Sequence, residues 1–135
     1  MNINVPYGIT ARISKTTLGA AREKVTAALS AEGFGVLTEI DVAATLQKKI
    51  GATIDPYVIL GACNPKLAHR AITSEPGIGL LLPCNVVLTQ DGDDVVVSAA
   101  SPKAMFTIAE GKPEMASVAA EAEEKLSRAV AAVAG

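Results

Sequence analysis

The chain has two cysteines, and asparagine follows each of them: Cys63-Asn64 within "GACNPKLAHR" and Cys84-Asn85 within "LLPCNVVL". A thiol works as a nucleophile or a soft-metal ligand in its ionised form, so its placement decides its chemistry. Cys63 directly precedes Asn64-Pro65, a pair suited to opening a helix, because Asn caps free amide groups and Pro fits the first helical position. A thiolate there faces the positive end of the helix dipole, which lowers a thiol pKa from about 8.5 into the range of about 3.5 to 7.5. Burial acts in the opposite direction, and the competing reading is a small apolar residue packed at a strand end. No helix start follows Cys84, so Cys63 is expected to be the more reactive thiol and Cys84 a neighbouring or supporting one.

His69, the single histidine, lies on the helix expected after Cys63. With Cys63 and Cys84 it would form a three-ligand set suited to zinc or copper. The tight Cys-x-x-Cys or His-x-x-x-His spacing is missing, however, and a histidine between Lys66 and Arg70 reads as part of a solvated helix face. No metal is therefore expected, with Cys63, His69 and Cys84 the residues that would hold one. "DGDD" at 91–94 begins like a calcium loop, but Val96 and Pro102 occupy the positions that require Gly and Glu. The Gly pairs at 33–35 and 77–79 lack a phosphate-loop pattern, and no Ser-His-Asp or acid-base carboxylate pair can be nominated from spacing. The ligand-binding candidates are Cys63, Asn64 and Cys84, Cys63 is the candidate nucleophile of any reaction, and no cofactor is specified.

The elements that must position these residues follow from periodicity. "YGITARIS" (7–14) alternates like a strand with one buried face, and a helix with Leu18, Ala21, Val25, Ala28 and Leu29 inward follows, capped by Ser14, Thr16 or Thr17 and stopped at Gly33. "FGVLTEID" reads as a second strand, with a short helix from about Val42 to Lys49 ended by Gly51. "DPYVILGAC" reads as a third strand, and the helix opened by Asn64-Pro65 turns Leu67, Ala68, Ala71 and Ile72 inward before Pro76. "GIGLLLPCNVVLTQ" and "DDVVVSAA" flank Asp91-Gly92, a strong hairpin signal. Pro83 lies inside the first arm and cannot donate to a ladder, so an edge position or a bulge is expected there. "SPKAMFTIAEGK" reads as a loop with some order. Pro113 then opens a long helix whose stripe is Met115, Val118, Ala119, Ala122, Leu126, Ala129, Val130 and Val133. This order of elements fits an α+β sandwich with a helical layer on one face of the sheet.

At 135 residues and 13.8 kDa the chain reads as a single domain, residues 1–135, long enough for a core without staples. Twelve basic against fourteen acidic residues, with two Phe, two Tyr and no Trp, supply neither a basic stripe nor stacking platforms, so no nucleic-acid partner is expected. No apolar run reaches the length of about 20 residues needed to cross a bilayer. Neither a basic start nor an apolar signal segment is seen, so no membrane partner and a cytoplasmic location with reduced thiols are expected. The chain is 50% hydrophobic, largely through Ala and Val, and that excess leads to the expectation of a homodimer covering at least one sheet edge.

The segments "EIDVAATLQKKIG", "YVILGACNPKLAHRAI" and "GIGLLLPCNVVL", in this order and followed by "DGDDVVVSAASP", resemble the bacterial and archaeal family catalogued as domain of unknown function 302. The resemblance runs from about Tyr7 to Val133. Its most specific features are Ile40-Asp41, Lys49, Ala62-Cys63-Asn64-Pro65, Ala68 and Leu82-Pro83-Cys84. It implies a TATA-box-binding-protein-like α+β domain, a curved, mainly antiparallel sheet with helices packed on one face, commonly dimeric. Fold likeness does not carry DNA binding with it, and the resemblance implies no established reaction. The leading functional expectation is a small cytoplasmic binding or sensing domain that uses Cys63, Asn64 and Cys84 to hold a small molecule, a metal ion or a sulfur species. The alternatives are a cysteine-dependent enzyme and a purely structural dimer module.

Overall fold

The structure, a computed structural model, describes residues 3–109 and 112–135. Strand β1 (Gly8–Ile13) leads to helix α1 (Leu18–Ala31), which is capped by Thr17, whose Oγ1 accepts from the Ala20 N–H at 3.2 Å. Gly33, with φ at +84°, takes the left-handed conformation that ends this helix. Strand β2 (Gly35–Asp41) runs straight into α2 (Val42–Ile50), with Asp41 as its cap and Gly51 at φ +66° as its stop. Strand β3 (Tyr57–Cys63) and α3 (Pro65–Ser74) follow, then a short 3-10 turn at Pro76–Leu81. Strands β4 (Cys84–Asp91) and β5 (Asp94–Ala100) form a hairpin, and α4 (Pro102–Phe106) and α5 (Pro113–Val133) complete the chain.

The five strands make one open sheet in the order β1-β5-β4-β3-β2, with every neighbouring pair antiparallel. Register decides which side chains share a face. Ile13 lies opposite Val95, Leu88 opposite both Val97 and Val58, and Val86 opposite both Ala99 and Leu60. These residues are buried and cluster with Val25 and Leu29 of α1, Leu67 and Ala71 of α3, and Leu126 and Val130 of α5. The domain is therefore α+β, with its core between one sheet face and the helices. All eight stripe positions expected on α5 are buried.

The two sheet edges differ. At β1 the Gly135 N–H donates to the Arg12 carbonyl at 3.0 Å, and the Gly135 carbonyl accepts from the Ser14 N–H at 2.8 Å. At β2 nearly every residue is exposed, Leu37 and Ile40 among them, and the ladder is interrupted by a bulge between Val36 and Thr38.

Four sequence expectations need correction. Pro83 is neither at an edge nor in a bulge: the Pro76–Leu81 turn takes up most of the supposed arm, and β4, a central strand, begins at Cys84, one residue past the proline. The hairpin loop is Gly92-Asp93, closed by the Asp91–Asp94 pair, because the φ of +60° falls on Gly92 as the first loop residue. "SPKAMF" is helical rather than a loop, with Ser101 as cap and Pro102 at the first helical position. Ile72 is 46% exposed, so α3 buries only Leu67 and Ala71.

Candidate functional site

Strands β3 and β4 are hydrogen-bonded neighbours, and Ala62 is the register partner of Cys84. Cys63 therefore stands one residue beyond the partner of Cys84, at the same end of the sheet. Both cysteines are free, half-buried thiols, and both line one cavity of about 30 Å³. Its apolar wall comes from Phe34, Leu67, Leu82, Phe106, Val118 and Ala122, so that α3, α5 and α4 close over the strand ends. Arg70 holds α3 against α5 through ion pairs to Glu114 at 2.7 Å and Glu121 at 3.2 Å.

The electrostatics follow from this enclosure. Burial pushes the Cys84 thiol up to about 11, and the nearby Cys63 adds to the rise, because a thiolate at one position disfavours a second beside it. Among the described residues no buried side-chain nitrogen or oxygen lacks a hydrogen-bond partner, so the cavity presents sulfur without spare polar groups.

Asn64 serves the helix as its sequence indicates. Its Oδ1 accepts from the Leu67 N–H at 3.3 Å, and its Nδ2 donates to the Glu32 carbonyl at 3.4 Å, which ties the start of α3 to the end of α1. Asn64 also lines the thiol cavity, so all three ligand-binding candidates, Cys63, Asn64 and Cys84, meet there. His69 does not join them: it is exposed on α3 and does not line the cavity. Among the described residues no group of three or more His, Cys, Asp or Glu side chains is placed to hold a metal ion.

The structure adds residues that the cysteine motifs did not indicate. A second, larger cavity of about 250 Å³ shares Leu82, Pro83, Cys84 and Phe106 with the first and adds Met105 and Asn85. Cys84 thus belongs to the wall between the two. The Ser101-Pro102 pair, the same cap-and-proline signal as Asn64-Pro65, could have revealed the α4 helix that brings Met105 and Phe106 here. Gly61 is required by crowding on β3: a Cβ there would run into the Thr38 hydroxyl and come within 2.9 Å of the Pro83 ring.

An open antiparallel sheet with helices over its buried face defines the class as α+β. The chain matches the family described as domain of unknown function DUF302 over residues 9–133, and it belongs to that family. It is similar to the crystal structure of an uncharacterized conserved DUF302 protein from Bacillus stearothermophilus, with 28% sequence identity and a TM-score of 0.86 over 96% of this chain and 99% of that one. No curated protein matches the chain. Among the described residues no helix is long and apolar enough to cross a membrane.

Proposed function

We propose that this protein is a small thiol-based binding or sensing domain whose site is the cavity shared by Cys63 and Cys84. The observation that carries the reading is the meeting of both cysteines on one small, largely apolar cavity. At about 30 Å³ that space exceeds the roughly 10 to 15 Å³ needed for one water-sized particle and falls far below the roughly 300 Å³ of an ordinary ligand pocket. Size therefore favours an atom-sized occupant, a metal ion or a sulfur atom, over an organic molecule. The enzyme reading is weaker, since no His, Lys, Asp or Glu lines the cavity to serve Cys63 as acid or base.

The test is controlled oxidation of the reduced, folded protein with diamide, followed by mass spectrometry. The two thiols are expected to lose one hydrogen each to the oxidant and join as a disulfide within one chain. Two thiols that stay free, or that pair only between chains, overturn the shared site.

A second reading rests on a separate observation: Leu37 and Ile40 are 68% and 49% exposed on the open edge strand β2. A homodimer that covers this edge would bury them, and β2 is favoured over β1 because the Gly135 bonds already occupy part of the β1 edge.

A further inference from the structure

We propose that Cys63 and Cys84 together hold a single soft cation of the Cu(I) class in two-coordinate fashion, and that the ion reaches them past the thioether of Met105. The inference rests on the shared thiol site proposed above and names its occupant. The donor set argues by exclusion. Hard cations such as Ca²⁺ and Mg²⁺ require oxygen ligands, and no carboxylate lines the cavity. Structural zinc and iron–sulfur clusters require about four ligands, and the described residues offer no group of even three His, Cys, Asp or Glu side chains. Thiolate sulfur selects soft ions, and monovalent d¹⁰ ions are satisfied by two such donors. The wall of Phe34, Leu67, Leu82 and Phe106 is apolar and adds no further donor to the two sulfurs.

The volume and the charge balance agree. A cavity of about 30 Å³ takes one ion without a retinue of solvent. On binding, two S–H bonds break, two metal–sulfur bonds form, two protons leave to solvent and the metal keeps its oxidation state. The product carries one negative charge, and it lies where α3, a ten-residue helix, begins with the positive end of its dipole directly after Cys63. A stored sulfur atom fares worse in the same place. A persulfide on Cys63 would be attacked at its inner sulfur by the Cys84 thiol; the two cysteines would join as a disulfide and hydrosulfide would leave.

The access path comes from the second cavity. Met105, a soft sulfur donor, lines the larger space of about 250 Å³, and Cys84 belongs to both that space and the smaller one. A soft ion arriving through this space thus meets the Met105 thioether, then Cys84, then Cys63, with no carboxylate or imidazole on the way to divert it.

The test is anaerobic titration of the reduced protein with Cu(I) against a chromogenic Cu(I) chelator, with stopped-flow loading and native mass spectrometry. The parent is expected to hold one ion per chain. Cys63→Ser and Cys84→Ser should each weaken binding by more than about a hundredfold, beyond what loss of an outer partner of a metal ligand costs. Met105→Leu should leave the equilibrium affinity within about threefold and slow loading by about tenfold, a barrier increase of about 1.4 kcal/mol. Because the parent is measured alongside, a serine variant that fails to fold does not rescue the idea: a reduced, folded parent that holds no Cu(I) overturns it. If diamide still joins the two thiols in that parent, the shared site stands and only its occupant is wrong. Displacement of Cu(I) by an equimolar amount of Zn²⁺ also overturns the assignment, and Met105→Leu loading at the parental rate overturns the access path.

Discussion

The side-chain amide of Asn64 spans two helix ends, accepting at the start of α3 from Leu67 and donating 3.4 Å to the carbonyl of Glu32 just past α1. The residue that follows Cys63 is thus the one that ties the start of α3 to the end of α1 beside the cavity.

Asn64→Ala removes both bonds and should cost about 0.5 to 2 kcal/mol, the usual cost of losing such a cap. Asn64→Asp keeps an acceptor for Leu67 and sets a carboxylate against the Glu32 carbonyl, so it should recover only part of that loss. Urea unfolding of the three proteins decides the matter, and an alanine variant as stable as the parent removes the cap role.

Cys84 makes a pH prediction whose sign is fixed. The folded protein holds the proton up to about 11, whereas the unfolded chain releases it near 9.0, so between these values the native state binds one proton more. The stabilisation is complete below about pH 9 and is lost as pH rises through about 11, with a slope of about 1.4 kcal/mol per pH unit and a total of about 2 to 3 kcal/mol. Lysines and tyrosines titrate in the same range, so the relevant quantity is the difference between the parent and Cys84→Ala. Parallel curves for the two proteins would contradict the buried neutral thiol.

Gly61→Ala should destabilise by about 1 to 3 kcal/mol, as overpacking does. The two obstacles are unequal. Thr38 is exposed on β2, whereas the Pro83 ring is rigid and sits beside Cys84. The double variant Thr38→Ala/Gly61→Ala is therefore expected to recover part of the loss and not all of it. Full recovery would show that Pro83 yields freely, and diamide oxidation of the variant would report whether the thiols have moved apart.

Sedimentation equilibrium at tens of micromolar should show twice the 13.8 kDa chain mass. Ile40→Lys, which places a charge on the open edge, should return the protein to the monomer. A parent that runs as a monomer ends the dimer reading, and a variant that stays dimeric moves the contact away from β2.

Local signals carried most of the architecture. Asn64-Pro65 announces α3 because cap chemistry is confined to a few neighbouring residues, and the eight-residue stripe of α5 announces its buried face because a helix repeats. The long-range facts were silent. Nothing in either cysteine motif says that β3 and β4 adjoin, so the shared cavity of Cys63 and Cys84 is not legible in the sequence. Pro83 shows the limit in the other direction: its missing donor was a correct reason to doubt a ladder, but the doubt applied to the extent of the strand rather than to its place in the sheet. Leu80 and Leu81 read as strand because a short apolar run does not by itself distinguish a strand from a 3-10 turn.

The Gly135 bonds to Arg12 and Ser14 have a consequence for assembly beyond the single chain. A sheet with two receptive edges can grow without limit, each added copy presenting a fresh edge to the next. Here part of one side is already taken by the molecule's own backbone, so two copies joined through β2 would leave only partly occupied β1 edges facing outward. Edge-to-edge growth beyond such a pair would be hindered at β1, which would work against fibre formation in a protein rich in Val and Ala.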